Sequence, residues 1–254
     1  MRNAGGETTD GERPAPVRVV VGSCAGDALP GVEEVRVEVV PLDAPPLPYA
    51  ELFALLPSEE QARALRYKVE SARRQFVVGR GVLRRSLGQC LGVRAIEVAF
   101  TLNANGKPRL ADDRVGLHFN VTHTDGLALI AIAWRPVGID VERVRAVANP
   151  EGLVGRFFSP AERDAYLALG PEHRPAGFFR GWTCKEAVIK AAGLSVACLG
   201  DFDVELHPEH PAALLAARHT VLAASAWSLT AWEAAPGFAA ALSVEGVGRL
   251  SLDL

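Results

Sequence analysis

Short apolar runs predict the strands in this chain, and alternation of apolar and polar side chains marks the clearest of them. In residues 32–40, valines at every second position alternate with Arg36 and Glu38, which is the pattern of a strand with one buried face. Other short apolar runs are bounded by turn residues. These runs predict strands at 17–22, 96–102, 117–121, 127–134, 137–141, 202–206, 221–232 and 238–244.

Helical patterns occur in two parts of the chain. Residues 58–87 predict one long helix with acidic residues in its first turn. A second helix is expected to begin at Ser159-Pro160, with Ser as N-cap and Pro as the first helical residue, and a third covers 177–192. The chain therefore contains both predicted helices and predicted strands.

A weak internal repeat appears when the chain is shifted by about a hundred residues. The matched segments are 57–60 with 159–162, 75–79 with 177–181 and, at a slightly larger shift, 126–131 with 237–242. Matches this short also arise by chance in a chain rich in Ala and Gly. A true duplication would give two similar α+β half-domains, at 17–136 and 137–254, after a flexible tail at 1–16.

Composition and charge narrow the function classes. With 254 residues, 49% hydrophobic and 22% charged, the chain can bury a sizeable core, which excludes wholesale disorder. A formal net charge of −3 gives no overall field that attracts nucleic acid or an anionic membrane. The longest apolar run, 127–134, is too short to span a bilayer. Four cysteines without a CxxC pair indicate neither a zinc pattern nor a disulfide scaffold, and we expect a cytoplasmic protein.

Two carboxylates project from one face of the strand predicted at 137–141. Alternation places Gly138, Asp140 and Glu142 on one side, opposite the apolar residues. Neighbouring carboxylates repel each other unless a cation lies between them, and hard oxygen ligands suit Mg²⁺. The alternative is a solvated strand end with a charge cluster, so the pair alone is weak support for a metal site.

A second polar group lies on the helix predicted at 177–192. Trp182, Glu186 and Lys190 are four residues apart and therefore form one stripe. Apolar residues around the stripe indicate a buried helix, where a Glu–Lys pair is more often functional than on the surface. Glu186 is thus a candidate third carboxylate for the cation, with Lys185 and Lys190 facing a phosphate. An ordinary surface i,i+4 pair is the alternative.

Two turns and one basic segment are suited to binding an anion. Lys107 lies in a Gly-Lys-Pro turn and His123 at the tip of a predicted hairpin, although a solvated turn is the default for each. Residues 63–85 contain eight basic side chains and one acidic one. Such a run is usually a solvated helix face. In a chain of net negative charge, however, it provides a local positive field for phosphates or an acidic partner.

Together these segments resemble the 4′-phosphopantetheinyl transferases of the larger monomeric, surfactin-synthetase-activating type. The family pattern has a Gly-Lys-Pro turn, a Phe-Asn-x-Ser-His-Ser hairpin, a Gly-Ile-Asp-x-Glu strand and a Trp-x-x-Lys-Glu-Ala-x-x-Lys helix. The corresponding segments are, in the same order, 106–108, 119–124, 138–142 and 182–190. Phe157-Phe-Ser159 and Glu162 add to the resemblance, which covers about residues 52–204.

The resemblance implies a fold and a reaction. The fold is two α+β half-domains related by a pseudo-twofold axis, with the active site in the cleft between them. The reaction transfers the 4′-phosphopantetheine arm of coenzyme A to a serine hydroxyl of an acyl or peptidyl carrier domain and releases 3′,5′-adenosine bisphosphate. We therefore expect a Mg²⁺-dependent holo-[acyl-carrier-protein] synthase, with Mn²⁺ as a substitute metal. It would act as a monomer on polyketide, nonribosomal peptide or fatty acid synthases, and on neither nucleic acid nor membranes.

The resemblance also implies roles for individual residues. Asp140, Glu142 and Glu186 would hold the metal. Glu186 would accept the serine proton, directly or through water, and Lys190 would neutralise or protonate the leaving oxygen. The residues expected to bind the coenzyme are Arg66, Arg74, Lys107, Thr122, His123, Asp140, Lys185 and Lys190, with His123 also counted as catalytic.

Some features depart from the family pattern or leave alternatives open. Thr122 and Thr124 stand where serines are common, which retains the hydroxyls. The family varies in the basic helix, so the choice of the arginine that contacts phosphate stays open among Arg66, Arg73, Arg74, Arg80 and Arg84. Cys184 is interpreted as a core thiol. A Mg²⁺-dependent hydrolase of coenzyme A or of a nucleotide diphosphate would use the same residues, as would an inactive coenzyme A-binding protein.

Overall fold

The computed structural model describes residues 17–22, 29–222, 227–246, 248 and 250–253. The strands are β1 (Val17–Gly22), β2 (Glu34–Pro41), β3 (Phe100–Leu102), β4 (Pro108–Leu110), β5 (His118–Thr124), β6 (Leu127–Ala133), β7 (Val137–Arg143), β8 (Phe202–Val204), β9 (Leu214–Ala217), β10 (Trp227–Ala235), β11 (Phe238–Glu245) and β12 (Leu250–Asp253). The helices are α1 (Tyr49–Ala54), α2 (Ser58–Leu65), α3 (Glu70–Leu91), α4 (Pro150–Phe157), α5 (Pro160–Ala168) and α6 (Arg174–Ala192). Three 3₁₀ turns lie at Ala95–Glu97, Asp113–Val115 and Val196–Asp201. The tail expected at 1–16 lies outside the described residues.

The strands form two main sheets. One has five strands in the order β12-β1-β2-β6-β5, in which β1 runs parallel to both neighbours and the other pairs are antiparallel. The other is antiparallel, in the order β10-β11-β7. β3 with β4 and β8 with β9 form two small hairpin sheets.

Three apolar clusters stack these elements in layers. One cluster joins α3 to the five-stranded sheet and includes Val82 and Ile130. A second cluster joins the two main sheets and includes Leu129 and Ile139. A third joins α6 to the three-stranded sheet through residues such as Ala241. Successive residues of a strand face opposite ways, so the layer order is α3, five-stranded sheet, three-stranded sheet, α6. The predicted α+β fold with two half-domains is confirmed, while the pseudo-twofold relation stays a prediction.

The last described strand returns to the first. β12 pairs with β1 in parallel, with Leu250 opposite Val17. Residues that follow the three-stranded sheet therefore complete the five-stranded one. The division expected after residue 136 falls between β6 and β7, where the chain passes from one main sheet to the other. It stays a prediction, and β12 shows that the C-terminal segment serves the N-terminal sheet.

The single helix expected at 58–87 is wrong, because the structure has two helices there. α2 ends at Leu65, and α3 begins at Glu70 after an extended Val69. The break lets α2 fold back on α3, since Glu60 Oε2 lies 2.6 Å from Arg84 Nε. In a straight helix, residues 24 positions apart would be separated by about 36 Å. The apolar spacing continues across the break, so the sequence pattern could not reveal it.

Short elements account for most other differences. The strand expected at 96–102 is a 3₁₀ turn followed by the three-residue β3. The elements that the apolar pattern did not predict are α1, α4, β4, β9 and β12. Each has only three to eight residues, which is too short for a clear period. The helix start at Ser159 is confirmed: Ser159 Oγ accepts the N–H of Glu162, whose carboxylate accepts the N–H of Ser159.

Candidate active site

Close packing of β7 on α6 brings the predicted site residues together. A Cβ at Gly138 would lie 2.1 Å from the carbonyl oxygen of Ala187 and 2.3 Å from the backbone nitrogen of Ala191. Only glycine permits this approach. Gly138 and Asp140 lie on the same face of β7, as alternation predicted, so the contact directs Asp140 toward Lys190 of α6.

Asp140 is the most buried carboxylate of the site. It is 4% exposed, and burial raises the pKa of its carboxyl group. Oδ1 accepts hydrogen bonds from Lys190 Nζ at 2.6 Å and from the hydroxyl of Thr122 at 2.9 Å. Within the described residues, its buried Oδ2 has no hydrogen-bond partner. A buried oxygen of this kind is costly unless it meets a cation or a donor.

Two further carboxylates face Asp140. Burial, followed by repulsion from Asp140, raises the pKa of Glu142. Burial also raises the pKa of Glu186, and the charges of Asp140 and Glu142 add to this increase. Lys190 Nζ lies 3.8 Å from Glu186 Oε2 and partly offsets the repulsion. The donor set fits Mg²⁺, which prefers carboxylate oxygens. In the described part of the chain, however, the oxygens of the three groups are not gathered within 4.8 Å of one another.

A cavity of about 350 Å³ lies beside this cluster, between α3 and the five-stranded sheet. Its wall includes Arg63, Phe76, Arg80, Asn120 and His123. The amide oxygen of Asn120 accepts the N–H of Ile139 at 2.8 Å, so β5 connects the cavity to β7. Thr122 and His123 follow on β5, which places the predicted hairpin residues between the cavity and the carboxylates.

The arginines at this cavity match the sequence expectation only at Arg80. Neither Arg66 nor Arg74, the two expected to bind the coenzyme, belongs to the described lining, and Arg74 Nη2 donates to the carbonyl of Asp43 at 3.3 Å. Arg80, one of the arginines that the sequence left open, lines the cavity together with Arg63. Arg63 was not among the named candidates, because the break between α2 and α3 sets which side chains face inward.

Lys107 binds backbone carbonyls across the half-domain boundary. Its Nζ donates to the carbonyl of Val137 at 3.0 Å and to that of Lys190 at 2.5 Å. Burial and the charge of Lys190 lower its pKa to about 8. Asn105 Nδ2 donates to the carbonyl of Gly193 at 2.7 Å. The turn therefore caps the end of α6 and holds the halves together, while phosphate contact by Lys107 stays a prediction.

Lys185 does not face the site, contrary to the sequence expectation. Its side chain is 1% exposed, and Nζ donates to Glu162 Oε2 at 2.6 Å and to the carbonyl of Phe202 at 2.8 Å. One residue corresponds to about 100° around a helix, so Lys185 points away from the stripe of Glu186 and Lys190. The Lys185–Glu162 pair fixes α6 against α5 and β8. Cys184 is also fully buried, which raises the pKa of its thiol to about 12 and supports the interpretation as a core thiol.

The aromatic end of the stripe is packed. The ring of Trp182 meets Phe157 edge-on at 5.5 Å between centroids and stacks on Phe178 at 6.4 Å. Trp182 therefore anchors α6 beside α4 and starts the stripe that continues to Glu186 and Lys190. Within the described residues, none of the helices has the length and apolar character needed to cross a membrane.

Comparison with known proteins gives two adjoining family matches. Residues 136–243 match the profile described as 4′-phosphopantetheinyl transferase superfamily, and residues 46–135 match 4′-phosphopantetheinyl transferase, N-terminal. The chain is 40% identical to the 4′-phosphopantetheinyl transferase HetI of Nostoc sp. over 219 residues, which is 85% of this chain and 90% of that protein. It is 24% identical to the 4′-phosphopantetheinyl transferase Sfp of Bacillus subtilis over 158 residues, or 62% of this chain and 69% of that protein. The chain therefore belongs to the 4′-phosphopantetheinyl transferase superfamily.

Proposed function

We propose that this transferase moves the 4′-phosphopantetheine arm of coenzyme A to a serine hydroxyl of an acyl or peptidyl carrier domain, releases 3′,5′-adenosine bisphosphate and depends on Mg²⁺. One observation carries the metal and residue assignments. Asp140, whose buried Oδ2 has no hydrogen-bond partner among the described residues, lies in a cluster with Glu142, Glu186 and Lys190. Three carboxylates with raised pKa values and one ammonium are a charge arrangement suited to a cation and a phosphate.

Asp140, Glu142 and Glu186 would hold Mg²⁺, or Mn²⁺ in its place. When bound, the ion supplies positive charge that stabilises negative charge on the diphosphate. Asp140 is the fixed member of the set, because Thr122 and Lys190 already orient its Oδ1. Glu142 and Glu186 carry repulsive charge that a cation would relieve.

Lys190 acts on the leaving group. Its ammonium lies 2.6 Å from Asp140 Oδ1 and 3.8 Å from Glu186 Oε2, so it is held between two carboxylates. From this position it neutralises or protonates the oxygen that departs with adenosine bisphosphate.

Glu186 accepts the proton of the carrier serine. Burial and the neighbouring charges raise its pKa, which makes the carboxylate a stronger base near neutral pH. Its place on the same helical stripe as Lys190 sets the acceptor and the leaving-group cation side by side.

The nucleotide end of coenzyme A would occupy the 350 Å³ cavity. Arg63 and Arg80 line it, and His123 lies at its β5 wall. Arg80 is paired with Glu60 at 2.7 Å, so Arg63 is the lining arginine that we propose to contact phosphate. Thr122 and His123 then lead from the cavity toward Asp140. Arg66 and Arg74 stay proposed contacts of the 3′-phosphate at the outer side of the same basic segment.

Carrier domains of polyketide, nonribosomal peptide or fatty acid synthases are the proposed partners. Such domains are typically acidic and are guided by a basic rim. We further propose that the enzyme acts as a monomer in the cytoplasm, where coenzyme A and the synthases are both present.

Intact-mass spectrometry tests the reaction. An apo carrier domain is incubated with the protein, coenzyme A and Mg²⁺, beside a carrier whose serine is replaced by alanine. A mass gain of one phosphopantetheine group only on the serine carrier is expected. Consumption of coenzyme A with every tested carrier unmodified would instead favour a Mg²⁺-dependent hydrolase, which uses water in place of serine.

A further inference from the structure

A second group of metal-ligating side chains lies outside the carboxylate site, at the two ends of the β8–β9 hairpin. Cys198 and Asp201 belong to the 3₁₀ turn that leads into β8, and His219 follows β9. One ligand atom of each residue lies within 4.8 Å of the other two. Among the described residues, no other three His, Cys, Asp or Glu side chains bring ligand atoms this close together.

Backbone and side-chain contacts already hold the two ends of the hairpin together. The N–H of Arg218 donates to the carbonyl of Asp201 at 2.8 Å. The guanidinium of Arg218 donates to Asp203 Oδ1 at 2.6 Å and to the carbonyl of Gly200 at 3.0 Å. These contacts place His219 beside the 3₁₀ turn, so the arrangement does not depend on side-chain rotamers alone.

The three side chains are available to an ion. Cys198 is a free, partly exposed thiol. Within the described part of the chain, no hydrogen bond engages the thiol of Cys198 or the carboxylate of Asp201. His219 Nδ1 accepts the N–H of Val221 at 3.2 Å. Coordination through either ring nitrogen gives up that bond, because the nitrogen not bound to metal must carry the proton. The hydrogen bond given up is long and joins residues only two positions apart.

We propose that Cys198, Asp201 and His219 form a Zn²⁺ site. Thiolate, imidazole and carboxylate are zinc ligands with bond lengths of about 2.0–2.3 Å, which puts ligand atoms of a tetrahedral site about 3.3–3.7 Å apart. The groups here need to approach by at most about 1.5 Å, which small rotations of their χ angles provide. Water takes the fourth position. Binding replaces the thiol proton with the metal and releases that proton to solvent.

The ligand set distinguishes this site from the carboxylate cluster. A thiolate is a soft ligand that Zn²⁺ and Co²⁺ accept and that Mg²⁺ does not, whereas three carboxylates suit Mg²⁺. Zinc would join the residues before β8 to those after β9. It would thereby brace the strand whose Phe202 carbonyl receives Lys185, on the side of α6 away from the reacting groups.

Cobalt titration of the full-length protein in excess Mg²⁺ tests the proposal. Mg²⁺ occupies any all-oxygen site, so the signal reports the thiolate site. We expect a thiolate-to-cobalt charge-transfer band and tetrahedral d–d bands that saturate at one equivalent and disappear when Zn²⁺ is added. Cys198→Ser should abolish the charge-transfer band, and His219→Gln should weaken Co²⁺ binding at least about tenfold.

Matched controls separate this site from chance binding. Cys24→Ser, at a cysteine outside the described residues, and His210→Gln, at an exposed histidine of the same hairpin, should leave the bands unchanged. A wild-type protein without the bands, or a band that persists in Cys198→Ser, would overturn the proposal. Transferase activity is not a readout, so either result leaves the transferase assignment untouched.

Discussion

Asp140 uses one carboxylate oxygen for two hydrogen bonds and keeps the other buried and unpartnered among the described residues. This difference between the two oxygens is the main feature of the site at the level of single residues. Oδ1 fixes the side chain through Thr122 and Lys190. The charge of Asp140 contributes to the raised pKa values of Glu142 and Glu186. The side chains of the site are therefore positioned before substrate arrives, which is what electrostatic catalysis requires.

The charge state of Glu142 makes stability depend on pH. Its pKa is raised in the folded protein, so the folded state binds more protons than the unfolded state above about pH 4.3. The free energy of unfolding therefore falls as pH rises through the folded pKa. Glu142→Gln removes this contribution, so its metal-free thermal midpoint should fall less between acidic and neutral pH. Thermal unfolding in a chelator over a pH series measures the effect. An equal change of thermal midpoint with pH in wild type and variant would contradict this contribution of Glu142. Glu151→Gln, at an exposed glutamate, is the control.

Glu186→Gln tests the proposed proton acceptor. The substitution retains the shape of the side chain, so coenzyme A affinity should stay within a few-fold. The transfer rate should fall at least about 10²-fold, the usual scale for the loss of an acid–base group. Calorimetry gives the affinity and carrier mass gives the rate. Near-normal turnover would exclude Glu186 as the base, and Glu209→Gln, on an exposed loop, should behave as wild type.

At the scale of elements, the site depends on how closely β7 approaches α6. The alternation of β7 and the four-residue spacing on α6 were both readable from the sequence, and they correctly placed Asp140 near Lys190. The approach itself depends on Gly138, whose missing Cβ leaves room for the backbone of Ala187 and Ala191. The Gly-Ile-Asp segment is thus a packing motif as well as a source of carboxylate.

Gly138→Ala should separate β7 from α6. The new methyl group would lie 2.1 Å from the carbonyl oxygen of Ala187, so the helix must shift. We expect a loss of about 1–3 kcal/mol in the free energy of unfolding, typical of overpacking, together with a lower transfer rate. Urea unfolding and the carrier assay measure these effects. A comparable Gly155→Ala change in α4, where a Cβ meets nothing within 4 Å, is the control, and equal behaviour of both variants would refute the packing role.

At the scale of the whole molecule, the two halves are joined by few but specific contacts outside the apolar layers. β12 pairs with β1, and Lys107 donates to carbonyls of Val137 and Lys190. The family resemblance assigned Lys107 to a phosphate, with a solvated turn as the alternative. Its partners lie 30 and 83 residues further along the chain, so no local pattern could show that it closes the boundary.

Lys107→Met tests that role. Removing the ammonium takes a donor from the carbonyls of Val137 and Lys190, of which the second still accepts the N–H of Gly193 at 3.4 Å. The loss should lower the free energy of unfolding at pH 7 by about 1–3 kcal/mol. The pKa of Lys107 falls from 10.5 to about 8 in the folded protein, so the wild-type protein gains stability as pH rises from 8 toward 10.5. The variant should lack this gain. Urea unfolding at several pH values measures both effects. Lys68→Met, at an exposed lysine, is the control. An unchanged free energy would contradict the role.

Sequence reasoning succeeded where periodicity is local and failed where tertiary contacts decide. The strands β2, β5, β6 and β7 and the capped start of α5 followed from local patterns alone. The break between α2 and α3 did not, because it is stabilised by Glu60 reaching arginines far along the chain. That break also decides which arginines line the cavity. Lys185 was misplaced because it was grouped with Lys190, although it lies about 100° around the helix from Glu186. Its partner Glu162 is 23 residues away along the chain, so no local pattern showed the buried pair.

Asp140 and its neighbouring carboxylates are proposed to bind the cation that transfer requires. The most direct measurement is a Mg²⁺ titration of phosphopantetheine transfer to an apo carrier, in wild type and in Asp140→Asn. We predict saturable Mg²⁺ dependence in the wild type and, in the variant, a loss of activity or a shift of the half-saturating Mg²⁺ concentration by at least about tenfold. An unchanged titration curve in Asp140→Asn would show that Asp140 does not hold the cation.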